Sequence, residues 1–157
     1  MIRKEIGLGM LIVMLVFGMS IVGCKDEPEP EQEPNNKFYG TWVQASTVSD
    51  VSSLSAAAQA AGMGESSSGI IHIKDGDQWY KQDLSLLWYY FENSTYTFST
   101  TSSGTRSAAV SYTFTETQIT AGGETKSYTF TTKQSGGDRV DILKWDGKIL
   151  LKRTMIL

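Results

Sequence analysis

Two residues with reactive side chains occur once each in this sequence. Cys24 is the only cysteine and His72 the only histidine among 157 residues. A thiol can act as a nucleophile or accept a covalent modification, and an imidazole can serve as a general base or a metal ligand. With one cysteine, the chain cannot form an internal disulfide or a thiolate metal cluster. Side-chain packing must therefore hold the fold together.

The surroundings of His72 do not favour catalysis. Strand alternation places it on the face opposite Ile71 and Ile73, so we expect a surface-facing strand residue. General acid–base chemistry also needs a placed partner, and the sequence identifies none. Asp75 and Asp77 have the spacing of turn formers, and the abundant hydroxyl side chains lack a base to activate them. The sequence therefore predicts no enzyme activity, no catalytic residue, no metal site and no cofactor.

Cys24 ends a segment built like a secretory leader. Arg3 and Lys4 give it a positive start, an apolar run follows over 6–22, and the small residue Gly23 comes directly before the cysteine. This three-part pattern is typical of a signal peptide. An uncleaved membrane helix is the alternative, although the apolar run is at the short end of what spans a bilayer.

The residues Ile21-Val22-Gly23-Cys24 resemble a bacterial lipobox, with a branched apolar residue three places before the cysteine and a small residue next to it. The resemblance implies a signal peptide over 1–23 that is cleaved before Cys24. It also implies that Cys24 receives a diacylglycerol on its sulfur and becomes the acylated N-terminus. Two or more acyl chains suffice for stable anchoring, so the expected partner of Cys24 is outer-membrane lipid.

The next segment, 24–36, is acidic and rich in proline. It contains five acidic residues, one lysine and all three prolines of the chain. Such a composition cannot form a core and predicts a disordered, extended linker. Lys25-Asp26-Glu27 resembles the export signal that sends lipoproteins of one Gram-negative phylum to the outer face of the outer membrane. This implies exposure at the cell surface, and a periplasm-facing lipoprotein is the alternative.

Residues 37–157 are the predicted folded domain, and their charges balance. They contain 11 basic and 11 acidic residues and no basic run. Because nucleic-acid binding is driven by concentrated lysine and arginine, we expect no nucleic-acid partner.

Aromatic residues repeat along the second half of this domain. Three triplets, Tyr96-Thr97-Phe98, Tyr112-Thr113-Phe114 and Tyr128-Thr129-Phe130, follow one another at a spacing of 16 residues. Because side chains alternate across a strand, the Tyr and Phe of each triplet share one face. The clearest hairpin joins strands over 139–145 and 148–154 through the tight turn Asp146-Gly147.

These patterns predict an all-β fold of eight or nine strands. Sequential hairpins favour a closed antiparallel up-and-down barrel, because closure removes exposed sheet edges, and a two-sheet sandwich is the competitor. The further strands are predicted at Tyr39–Ala45, Ile70–Lys74, Gln78–Lys81, most of Leu84–Phe91, and Gln118–Thr120.

The segment 46–69 is rich in Ser, Ala and Gly and has two interpretations. Ser49 or Asp50 is a candidate cap for a short helix that runs to Ala61 and stops at Gly62. The alternative is a mobile low-complexity loop.

Phe38-Tyr39-Gly40-Thr41-Trp42 resembles the Gly-x-Trp signature of lipocalins, and Leu151-Lys152-Arg153 resembles their last strand. The resemblance implies a lipocalin-like barrel in which Trp42 closes the floor and Arg153 stacks on it. It also implies that 46–69 is the large first loop over the barrel mouth. The chain departs from the lipocalins in having no disulfide and no evident motif in the later loops.

A barrel interior lined by aromatic rings suggests a pocket for a small hydrophobic or aromatic ligand, bound non-covalently. The alternative is a filled barrel that acts as a structural, adhesive or glycan-binding module at the cell surface. The candidate ligand-binding residues are Trp79, Trp88, Tyr96, Phe98, Tyr112, Phe114, Tyr128 and Phe130.

Overall fold

A computed structural model describes residues 36–156 of the chain. The predicted leader and nearly all of the predicted linker, including Cys24, lie outside the described residues. In chain order, the elements are β1 (Gly40–Val48), α1 (Ala56–Ala61), β2 (Met63–Glu65), β3 (Ile71–Asp75), β4 (Gln78–Gln82), β5 (Trp88–Phe91), β6 (Thr95–Ser99), β7 (Val110–Phe114), β8 (Gln118–Ala121), β9 (Glu124–Ser135), β10 (Asp138–Trp145) and β11 (Lys148–Met155).

Eight antiparallel strands close into a barrel. From β5 to β11 each strand pairs with the next, and β1 closes the ring by pairing with β5 and with β11. The predicted all-β fold with an antiparallel barrel of about eight strands is therefore confirmed. The hairpin between β10 and β11 turns at Asp146 and Gly147, which both have the positive φ of a two-residue primed turn, 55° and 72°.

Strand β1 changes its partner halfway along. Gly40 to Val43 pair with β5, whereas Ala45 to Val48 pair with β4 on the same side. The change falls at Gln44, whose backbone N–H donates to Leu87 O at 2.9 Å and whose carbonyl accepts from Asp83 N at 2.9 Å. Part of the predicted strand over Leu84–Phe91 is therefore a connection, and only Trp88–Phe91 is strand.

Strands β2, β3 and β4 form a second small sheet, here called the flap sheet. It joins the barrel through β4 and the second half of β1, so these strands are not members of the ring. Its inner face carries Met63, Ile71, Ile73 and Tyr80, which pack with the outward-facing side chains of β10 and β11. The domain thus has one core inside the barrel and another between the barrel wall and the flap sheet.

The segment 46–69 contains the helix α1. Ser55 is its N-cap, and Gly62 ends it with a φ of 76°. The predicted stop at Gly62 is confirmed, but the cap is neither Ser49 nor Asp50. The helix packs on the outer face of β2, where Gly64 presents no side chain: a Cβ at Gly64 would lie 2.4 Å from Ala58 Cβ. This position, outside the ring, differs from the mouth loop that the lipocalin resemblance implied.

Candidate functional site

The aromatic triplets face the inside of the barrel as alternation predicted. Tyr112 and Tyr128 are buried there, and Tyr96, Phe98 and Phe130 are partly buried against the same cluster. Their rings touch one another and their neighbours; Tyr96 lies 5.0 Å from Phe91 and 6.1 Å from Tyr112 between ring centroids. Such spacings are those of packed aromatic pairs.

Phe38 occupies the middle of this cluster and is fully buried. Its ring meets Phe114 at 4.8 Å, Tyr128 at 5.1 Å and Phe130 at 6.0 Å, all edge to face. It also approaches Phe91 at 6.2 Å and Tyr112 at 6.4 Å. Phe38 thus packs against at least five other rings in the interior cluster.

The polar ends of the interior tyrosines bind the barrel itself. Tyr112 Oη donates to Glu92 O at 2.6 Å, and Tyr128 Oη donates to Thr115 O at 2.7 Å. Burial raises the pKa of the Tyr89 phenol to about 12, with further contributions from Tyr96 and Asp146. The hydroxyls of Tyr112 and Tyr128 therefore act as structural donors.

Three of the eight predicted ligand-binding residues are placed differently from the rest. Trp79 lies on β4 of the flap sheet, on the face opposite the buried Tyr80. Trp88 lies on β5 opposite the interior residue Tyr89, so it points away from the barrel interior. Phe114 is 36% exposed although one face of its ring contacts Phe38. Trp79 and Trp88, expected nearer the mouth of the barrel, are therefore not part of the interior cluster.

Trp42 belongs to the interior cluster, and its cationic partner is Lys152 and not Arg153. Trp42 is fully buried, its Nε1 donates to Phe38 O at 2.7 Å, and Lys152 Nζ lies 5.0 Å from its ring centroid. Arg153 is on the opposite face of β11 and pairs with Asp138 at 3.0 Å and with Glu65 at 2.7 Å. The predicted Arg153 contact is thus wrong by one residue, because β11 pairs with β10 so that Lys152 faces inward.

Charged groups surround the contact between Trp42 and Lys152. Asp141 is 1% exposed and accepts hydrogen bonds from Thr132 Oγ1 at 2.7 Å and Arg139 Nε at 2.9 Å. Lys152 Nζ lies 3.8 Å from the other carboxylate oxygen and donates to Tyr39 O at 2.8 Å. Burial lowers the pKa of Lys152, and the Asp141 charge opposes that effect. The arrangement pairs the buried Asp141 carboxylate with two cations and a hydroxyl.

A polar cleft lies outside the barrel, on the outer face of the flap sheet. Its volume is about 440 Å³, within the range of small-molecule sites. Five serines contribute to its lining, together with His72, Lys81 and Asp83. The serines are Ser53, Ser66, Ser67, Ser68 and Ser85.

His72 is 5% exposed, so the prediction of a surface-facing residue is wrong. It does point away from Ile71 and Ile73, toward the outer face of the flap sheet, where Ser53 and the serines at 66–68 line the same cleft. Its Nδ1 lies 3.0 Å from Ile70 O and therefore carries the proton when the ring is neutral. No hydrogen bond to Nε2 occurs among residues 36–156, which leaves this nitrogen available in the cleft.

Sequence reasoning missed the cleft because its residues come from separate segments. The one available signal was the run Ser66-Ser67-Ser68-Gly69, in which Gly69 N donates to Ser66 O at 2.9 Å and closes a turn. Asp83 builds the facing wall: Ser85 Oγ and Ser85 N both donate to its Oδ1, and these hydrogen bonds lower the pKa of Asp83.

A second, shallower concavity of about 330 Å³ lies beside the turn at Gly122 and Gly123 and has mostly apolar walls. Within residues 36–156, no group of three or more His, Cys, Asp or Glu side chains could hold a metal ion. The same part of the chain has no helix of the length and apolarity that crossing a bilayer requires. Comparisons with protein-family models, with curated proteins and with solved structures gave no match to this chain.

Proposed function

We propose that this chain is a lipid-anchored module held at the outer membrane and exposed at the cell surface, with a solid barrel and a non-covalent binding role on its outer surface. The anchor follows from the leader pattern over 1–23 and from the lipobox-like residues that end at Cys24. The acidic linker over 24–36 gives the domain reach from the lipid surface.

The packing of the barrel interior is the observation that supports a filled module over a carrier. Phe38 sits among five aromatic rings, and the hydroxyls of Tyr112 and Tyr128 bind backbone carbonyls. A carrier would leave such rings around an open volume of some hundreds of Å³. The binding surface is therefore sought outside the barrel, where the described polar cleft lies.

A carrier of a small hydrophobic or aromatic ligand is the second candidate. One observation favours it: Trp145 belongs to the interior cluster, and its Nε1 is buried without a hydrogen-bond partner among the described residues. A buried N–H of this kind calls for an acceptor, which a bound molecule or a water supplies. Native mass spectrometry of the protein purified from its own host separates the candidates, because a carrier retains a small molecule and a filled module does not.

Metabolic labelling with radioactive palmitate tests the anchor. We expect label in the wild-type chain and none in Cys24→Ala, because the acylated sulfur is then missing. Ser20→Ala, which lies just outside the four lipobox-like residues, is the matched control and should still be labelled. An unlabelled wild-type chain, or a mature product that retains residues 1–23, would contradict the anchor. Protease digestion of intact cells, with permeabilised cells as reference, then distinguishes surface exposure from a periplasm-facing position.

A further inference from the structure

The cleft around His72 has the features of a built binding site. It is concave, and its floor is the cross-strand pair of His72 and Lys81 on β3 and β4. One wall is the serine turn over 66–69, and the other is the turn at Asp83 and Ser85. Each wall is fixed by its own hydrogen bonds, so the cleft is preorganised before a ligand arrives.

The lining has many hydrogen-bonding groups and little net charge. A serine hydroxyl donates one hydrogen bond and accepts others, and Gln82 adds an amide with both functions. Lys81 and Asp83 carry opposite charges, and they cancel. A cleft of this kind has no excess charge to attract an anion or a cation.

The imidazole adds a directed acceptor. Because Nδ1 is engaged with Ile70 O, the neutral ring presents Nε2 as an acceptor toward the cleft. The Asp83 carboxylate is a second strong acceptor: Ser85 donates to its Oδ1, and the Ser46 side chain also contributes a hydrogen bond to the carboxylate. Lys81 is the complementary donor. Leu84, 48% exposed, and Ile70 add apolar surface to the same lining.

From these groups we infer that the cleft binds an uncharged, polyhydroxylated ligand, namely one or two sugar units of a neutral glycan. Sugar hydroxyls both donate and accept, so they satisfy serine, imidazole and carboxylate together, and the C–H face of the ring matches Leu84 and Ile70. The inference deepens the proposed function and rests on its binding role, but it does not depend on the anchor. Loss of palmitate labelling would therefore leave it standing.

Nuclear magnetic resonance on the full-length chain in detergent tests this inference directly. His72 is the only histidine, so its imidazole signals are unambiguous reporters of the cleft. The probes are glucose, galactose, mannose, maltose and cellobiose, each titrated to the limit of its solubility. We expect at least one of them to shift the His72 signals in a saturable way, and sodium phosphate to shift them far less.

Two variants and one matched control locate the binding. Asp83→Asn keeps the oxygen that accepts from Ser85 but removes the charge, and we expect the dissociation constant for the binding sugar to rise about tenfold or more. Lys81→Gln should weaken binding as well. Asp77→Asn, in an exposed turn away from the cleft, should leave the dissociation constant unchanged. The inference is overturned if none of the sugars shifts the His72 signals, if phosphate binds more tightly than every sugar, or if Asp83→Asn and Asp77→Asn behave alike.

Discussion

Asp141 shows what a single residue can contribute to a barrel without a disulfide. Its carboxylate is buried with Arg139, Lys152 and Thr132 around it, and Lys152 in turn covers Trp42. Removing Asp141 leaves the largely buried Lys152 cation without its counter-charge, and a buried charge without compensation costs more than the intact group contributes.

We expect Asp141→Asn to lower the free energy of unfolding by about 3 kcal/mol, because the side chain keeps its volume but leaves Lys152 and Arg139 without their counter-charge. Urea denaturation of wild type and variant measures the difference. Asp77→Asn removes an exposed carboxylate and should change the free energy by less than about 0.5 kcal/mol. Equal losses in the two variants would contradict the role assigned to Asp141.

The inward-facing side chains were predicted correctly where apolar and polar residues alternate along the strand. In each Tyr-Thr-Phe triplet, alternation predicts that the Tyr and the Phe face the same side, and in all three triplets this side is the barrel interior. In Leu150-Leu151-Lys152-Arg153, by contrast, both faces begin with leucine and continue with a cation. Both faces are buried in the structure, one in the barrel and one under the flap sheet, so only the pairing with β10 decides that Lys152 meets Trp42.

The elements were predictable in proportion to how local their signals are. The β10–β11 hairpin has a two-residue turn that requires positive φ and was found with nearly correct bounds. The flap sheet was not found as a separate unit. Strand β2 has three residues, which are too few to show a periodic pattern. No local sequence pattern predicts that β1 changes its pairing partner from β5 to β4 at Gln44.

The contact between α1 and β2 depends on a missing side chain. We expect Gly64→Ala to destabilise the domain by about 1–3 kcal/mol, because the new Cβ would overlap Ala58 Cβ. Thermal and urea denaturation measure the loss. Gly137→Ala is the matched control, since its Cβ would meet only Ile156 O at 3.6 Å.

The double variant Gly64→Ala with Ala58→Gly removes the overlap and should recover part of the lost stability, despite the lower helix propensity of glycine. If the double variant is as unstable as the sum of the two single variants, the two positions are not coupled and the assigned contact is wrong.

For the whole molecule, the sequence predicted the architecture but not the state of its interior. A period of two, regular turns and an Asp-Gly hairpin are properties of a barrel, and the ring of eight strands agrees with them. The same inward-facing rings are compatible with a lined cavity and with a filled core. Phe38 is the residue that favours the filled core, and it lies before the first strand, where no periodic pattern marks it as buried.

We expect Phe38→Ala to cost about 3–5 kcal/mol of stability and to create a cavity among the interior rings. Benzene should then stabilise the variant against heat and leave the wild type unaffected, because apolar cavities of this kind stay dry and accept apolar molecules. Tyr39→Ala, at a neighbouring side chain that is 50% exposed, is the control. Stabilisation of the wild type by benzene would show that an interior cavity already exists and would favour the carrier.

The exchange of partners at Gln44 divides the described domain into the barrel ring and an insertion between Gln44 and Leu87. The polypeptide leaves the ring after that residue and re-enters it at Leu87, whose carbonyl accepts a hydrogen bond from the Gln44 N–H. All the residues that line the cleft lie in this insertion. We expect substitutions there to leave the β1–β5 and β1–β11 pairings in place and to be limited by the packing beneath the flap sheet and by the contact of α1 with β2. The binding specificity of the cleft can therefore change during evolution without changes in the barrel strands.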